Sequence, residues 1–225
     1  EERPAEGVRL LLLDAYEVSV LQGGAEGLRP RAEALLAAHR RNITSSPSSS
    51  TSWWWRWLPS STSSSSSSSS KSQSSSSSSS PPSALSGNLN SPAGLRGRAR
   101  RFVALNGAFG EAQLRWLDAR LADADAAGDV ALVLTHVPIL PGAQSFLCGE
   151  MCLAWDYEAA LEVLDRHSSV AAVLAGHDHR GGYAVSARGV HHVTLQGVIE
   201  ATDRGAFGVV EVHREGLLLK GVGRL

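Results

Sequence analysis

A mixed α/β fold is predicted for this 225-residue chain by two features. Continuous apolar runs of strand length recur at 8–13 (VRLLLL), 130–134 (VALVL) and 170–174 (VAAVL), and segments with helical spacing lie between them. A run that is apolar at nearly every position suits a strand buried on both faces, as in a parallel sheet covered by helices.

The elements follow in chain order. The run 8–13 closes on Asp14 and reads as a buried strand. Residues 31–39 form a short helix candidate. In 110–122 (GEAQLRWLDARLA), Leu114, Leu117 and Leu121 share one face at helical spacing. The strand 130–134 runs into Thr135-His136-Val137-Pro138, where the proline disfavours helix at Val137 and shapes the strand exit. Residues 156–167 (DYEAALEVLDRH) read as a helix with Ala160, Leu161 and Leu164 inward. The strand 170–174 leads to Gly-His-Asp-His, and strand-like runs follow at 190–195, 207–213 and 217–220.

One segment stands apart. From Thr44 to Ser83, 25 of 40 residues are serine, too few of them apolar to offset the entropy of ordering, so disorder is expected there. The organisation expected is therefore 1–43, a serine-rich insertion at 44–83, and 84–225. Within the insertion, WWWRW (53–57) reads either as low-complexity sequence without a selected role or as the centre of an interaction module. The Asn42-Ile43-Thr44 sequon is a pattern common by chance.

Composition narrows the function classes. A net charge of −1 gives no polyanion-binding surface, so nucleic acid is not expected as a partner. No apolar run is long enough to cross a bilayer, and the opening residues EERPAEG show no signal-peptide pattern. Two cysteines, Cys148 and Cys152, make no disulfide scaffold, and a reduced, cytoplasmic protein is expected.

The chemistry concentrates in two strand ends. His136 leaves one buried strand, and His177 and His179 leave another within VLAGHDHRGG (173–182). Residues i and i+2 of an extended segment face the same way, so this pair would present two imidazoles together. At this composition a Gly-His-x-His has about 0.03 expected chance occurrences, which favours a metal site over histidines that merely hydrogen-bond at a strand end. Imidazole suits zinc, manganese, iron and nickel alike, so the histidines alone leave the metal open.

Taken with LLLDAYEVSVL (11–21), LNSPAGL (89–95), NGAFGEAQLRWL (106–117), THVPIL (135–140), CLAWDYEAAL (152–161), AGHDHRGGY (175–183) and GVIEATDRGAFGVVEVH (197–213), the chain resembles the calcineurin-like metallophosphoesterases. Within them it is most similar to the manganese-dependent ADP-ribose/CDP-alcohol diphosphatases. The resemblance covers nearly everything outside the serine-rich segment, which reads as an insertion or a gene-model artefact. It implies two packed mixed β-sheets flanked by helices, with His136 and His177 on one metal of a pair and His179 on the other. It also implies Mn2+ as the cofactor, weaker activity with Mg2+, a small nucleotide diphosphate substrate and a monomer. Leu89, Phe109 and Cys152 are the implied substrate contacts.

The same resemblance implies that the N-terminal half of the fold is missing. The family's Asp-x-His or Asp-x-Gln, Gly-Asp-x-x-Asp and Gly-Asn-His-Glu motifs precede its LLLDAY strand, and no residue here matches the bridging aspartate or the general acid. No catalytic residue is therefore assigned. An inactive partial phosphoesterase with weak metal binding is the alternative expectation for the chain as written. Asp14 reads as a structural residue rather than a replacement ligand. Of His191 and His192 in one strand, one is expected to be buried and hydrogen-bonded; Tyr183 reads as packing or stacking, and Gly181-Gly182 as a turn.

Overall fold

Four parallel strands bring their C-terminal ends to one edge of a six-stranded sheet in the computed structural model, which describes residues 1–21, 28–41, 87–201, 205–213 and 215–223. The sheet runs β1-β2-β3-β4-β6-β5. Its strands are β1 (Glu2–Ala5), β2 (Val8–Leu13), β3 (Val130–Thr135), β4 (Val170–Ala175), β5 (Gly182–Val185) and β6 (His191–Thr194). Strands β2, β3, β4 and β6 pair in parallel, from Val8↔Val130 across to Ala175↔Thr194, while β1 and β5 are antiparallel edges. The expected run 44–83, with its tryptophans, lies outside the described residues.

Among the described residues three α-helices accompany the sheet: α1 (Leu28–Arg41), α2 (Gly110–Ala127) and α3 (Tyr157–Leu164). The stripe Leu114, Leu117 and Leu121 extends through Ala124, which carries α2 beyond residue 122 until Gly128 ends it in the left-handed conformation at φ 68°. That stripe packs on Leu11, Leu13 and Val133 of the sheet and on Ala160 and Leu164 of α3, in one core. A second cluster joins Ala32 and Leu36 of α1 to Val18, Phe102 and Trp155. Helix α3 is shorter than the apolar pattern suggested. The chain leaves it after Leu164, and the His167 ring lies between Asp125 at 2.7 Å and Asp118 at 3.0 Å. Arg9, the one charge within β2, is buried and paired: its Nε donates to Asp129 at 2.7 Å and its Nη2 to the Asp123 carbonyl at 3.1 Å.

Two strands escape periodicity. β1 is exposed on a four-residue edge, and β5 carries glycine in place of an apolar start. The second sheet is also simpler than expected. Among the described residues it is the antiparallel pair β7 (Ala206–His213) and β8 (Gly216–Gly223), so only the first sheet is mixed. Val210, Val212, Leu217 and Leu219 of the pair line a cavity of about 1160 Å³ with Leu132, Leu174 and Val193 of the large sheet. No described helix is long and apolar enough to cross a membrane.

Within β6, His192 is the buried histidine of its pair, 2% exposed, but neither ring nitrogen has a hydrogen-bond partner. That corrects the expectation of a hydrogen-bonded ring: β4 and β5 surround it with Val173 and Ala184, and neither side chain offers a polar atom. Burial, aided by the nearby His191, lowers its pKa from 6.5 to about 4. His39, stacked on Phe102, is likewise lowered to about 4 by burial and by Arg101. A depressed pKa means the unfolded chain takes up the proton first. The stability these rings contribute is whole above about 6.5 and is lost as pH falls toward about 4. Asp156 acts in the opposite sense over its own window: burial lifts it from 3.8 to about 6, so its contribution is lost as pH rises through that interval. Urea titrations from pH 7 to 4 are expected to show a smaller acid loss for His192→Leu than for the wild type. The difference expected is on the order of 2–3 kcal/mol at the acid end. Parallel stability curves would show that the native ring takes up its proton as readily as the unfolded chain does.

Candidate metal centre

Because β2, β3, β4 and β6 are parallel neighbours, Asp14, His136, the His177–His179 turn and Gly197 all follow strand ends on the same side of the sheet. Ligands of open α/β sheets characteristically bind along that edge. The exits of β3 and β4 are tied together by Gly176 N–H, which donates to the His136 carbonyl at 3.0 Å.

The Gly-His-Asp-His segment is a tight turn, not the extended segment anticipated. His177 takes φ 68°, the only positive φ at a described residue other than glycine. Such a conformation persists where surrounding contacts over-determine it. Here Asp178 supplies them. It is buried, and its Oδ2 accepts from Ser145 N at 2.6 Å and its Oδ1 from Arg180 N at 3.1 Å. Its own N–H donates to the Gly176 carbonyl at 2.7 Å. The aspartate between the histidines therefore anchors the turn.

His177 Nδ1 lies 3.3 Å from His136 Nε2, with the rings nearly perpendicular at 75°. Two ligands of one ion, each about 2.0–2.1 Å from it and opened by a right to tetrahedral angle, would stand about 2.8–3.4 Å apart. The spacing fits a shared cation. The other nitrogen, His177 Nε2, lies 2.7 Å from Asn106 Oδ1. His179 Nδ1 lies 2.6 Å from Glu200 Oε1, the carboxylate–imidazole pairing common behind metal-binding histidines. Gly197 keeps this pair possible, since a Cβ there would sit 2.6 Å from His179 Cγ and 2.5 Å from Glu200 Oε2.

Burial keeps the His136 and His177 imidazoles neutral. Burial, then the neighbouring His136, pulls His177 down to about 4, with His179 adding to the effect and Asp178 opposing it. His136 is lowered by burial and by His179. A neutral imidazole is the form that binds a metal.

The remaining expected residues separate. Asp14 builds its own turn: Oδ1 accepts from Tyr16 N at 2.8 Å, and Gln113 brackets its backbone N–H and carbonyl. Leu89 is partly exposed, and its carbonyl accepts from Arg40 at 2.7 Å and from Ala104 N at 2.9 Å. Phe109 lies in the core. It is 0% exposed, because the Asp156 carboxylate holds the N–H groups of Phe109 and Gly110 and turns the ring inward. Cys152 is buried and joined to Cys148 in a disulfide. The short turn Gly149–Cys152 brings the two Cα atoms to 5.7 Å, within the usual range for a disulfide. Tyr183 is exposed and pairs with His191 at 2.7 Å. Gly182 serves a close approach, since a Cβ there would meet the Ala143 carbonyl oxygen at 2.5 Å.

Sequence reading singles out neither Asn106 nor Glu200. Asn106-Gly107 carries only a turn signal, and Glu200 follows an apolar pair with no spacing that points to His179.

No family model matches the chain. A bovine manganese-dependent ADP-ribose/CDP-alcohol diphosphatase is 44% identical over 138 residues, 61% of this chain and 39% of that protein. Its counterpart in Danio rerio is 32% identical over 227 residues, covering 100% of this chain and 56% of that protein. The crystal structure of a dimetal phosphatase from Danio rerio superposes with a TM-score of 0.74 at 31% identity, over 100% of this chain and 57% of that one. The chain has the calcineurin-like phosphoesterase fold. It spans between about two-fifths and just over half of the curated relatives it matches. Within this phosphoesterase fold, the strand-end histidines occupy the edge where the parallel strands finish, and the helices α2 and α3 cover the face behind them.

Proposed function

We propose that this protein hydrolyses the diphosphate bond of ADP-ribose and CDP-alcohols in a manganese-dependent reaction. The products would be AMP with ribose 5-phosphate, or CMP with a phosphoalcohol. The observation that carries the reading is the facing pair His177 Nδ1 and His136 Nε2, 3.3 Å apart, in a chain similar to diphosphatases named for manganese.

His136 and His177 would hold one divalent cation and His179 a second. Cations so placed supply Lewis-acid charge to phosphate oxygens and lower the pKa of bound water. The protein's own part is positional. The Asp178 anchor fixes the turn, and burial keeps His136 and His177 unprotonated near neutrality. The Tyr16 ring packs 5.7 Å from that of His136 and walls one side of it. Three imidazoles bring no negative charge, and manganese also takes carboxylate oxygen, so anionic ligands belong beside them in the working enzyme.

The test uses the protein at full length, stripped of metal and then supplied with manganese, with ADP-ribose and CDP-choline as substrates. Release of AMP and CMP that requires added manganese and stops with chelator is the expected result. Hydrolysis of neither substrate with manganese would overturn the proposal, and equal rates in chelator would remove the metal from it.

A further inference from the structure

We propose that Asn106 is a positioning residue that fixes the tautomer and ring plane of His177, so that Nδ1 offers its lone pair to the space shared with His136 Nε2. The proposal rests on reading His136 and His177 as ligands of one cation, but the tautomer itself is observable with no metal present.

The argument is one of donor and acceptor counting. An asparagine side chain has two amide hydrogens to give and one oxygen to accept with. Asn106 Nδ2 lies 2.8 Å from the Arg101 carbonyl and 2.6 Å from the Met151 carbonyl. Both partners can only accept, so the amide nitrogen belongs on that side, and the flipped amide would set three oxygens against one another. Oδ1 therefore faces His177 Nε2, at 2.7 Å, and can only accept from it. The hydrogen must be on Nε2. A neutral imidazole has one N–H, which leaves the lone pair on Nδ1, the nitrogen 3.3 Å from His136.

The amide is well placed to impose that choice. Asn106 is 0% exposed, so water does not compete for its oxygen. Its two carbonyl partners come from separate 3-10 turns, Gly97–Arg101 and Gly149–Cys152, that lie away from the histidine in sequence. Arg101 itself is tied to the Trp155 carbonyl at 2.9 Å and to Glu158 at 3.0 Å, which stiffens the first turn. The disulfide at Cys152 stiffens the second. His177 needs such support, because its positive φ would not by itself hold the ring in one orientation.

The test is nitrogen-15 NMR of the metal-free full-length protein with labelled histidine, followed by manganese titration calorimetry of Asn106→Ala and Asn106→Asp. The wild-type His177 signal is expected as a single species protonated at Nε2. Asn106→Ala should give a mixture of tautomers or orientations and bind manganese about 10- to 100-fold more weakly, the range seen when such supporting contacts are removed. Asn106→Asp retains an acceptor for Nε2–H while giving up both carbonyls, so it should keep the tautomer and lose stability instead. A wild-type signal protonated at Nδ1 would overturn the proposal, and that spectrum decides whether or not either variant folds. A folded Asn106→Ala with one unchanged tautomer and unchanged manganese affinity would also overturn it. Failure of the diphosphatase assay leaves the tautomer result standing, so the two readings fail separately.

Discussion

On the function proposed above, His177→Ala is expected to lower the manganese-dependent kcat/KM for ADP-ribose by at least about 10- to 100-fold, because removing a metal ligand would cost no less than removing its supporting contact. The ring joins the β4 exit to the β3 exit through the 3.3 Å approach to His136, and it holds the buried Asn106 from the other side. The loss should appear in manganese affinity as well as in turnover, and raising the manganese concentration should recover part of it. Circular dichroism is expected to change little, since the turn is held by the Asp178 contacts to Ser145 and Arg180. A variant that hydrolyses ADP-ribose within a few-fold of wild type would remove His177 from the metal site.

Phe109→Ala is expected to act on stability, by about 3–5 kcal/mol, the usual cost of truncating a buried aromatic ring and leaving a cavity. The ring is 0% exposed within the core that joins α2, α3 and the sheet. Equilibrium urea unfolding should show the midpoint falling with little change in slope, and substrate KM measured well below the transition should stay near wild type. An undiminished midpoint with a raised KM would support Phe109 as a substrate contact and show that its buried position opens in solution.

These two residues mark the limits of sequence reading. His177 was identifiable because its environment is local: an apolar run, a glycine, and a second histidine two positions on. Phe109 resembles a site residue by its motif, and its burial depends on Asp156, which lies 47 positions away and captures the backbone N–H of the ring's own residue. The pairing of Cys152 is likewise decided by the fold. It depends on a turn geometry that two cysteines four apart permit but do not dictate.

What the sequence by itself determined was the sheet and the edge on which the histidines stand. Three largely apolar runs, one carrying the paired Arg9, can satisfy their backbone and bury both faces as adjacent strands beneath helices, and residues just past such runs then emerge together. The apolar run even located β2 to its bounds, Val8–Leu13, because both ends are marked by turn residues. Only the tertiary structure decided which nitrogen of each imidazole is engaged. Asn106 reaches His177 across 71 positions and Glu200 reaches His179 across 21, and a hydrogen bond between such partners leaves no trace in the spacing of either. It exists because the chain returns, and the return is set by how α2, the two 3-10 turns and β6 pack around the strand ends.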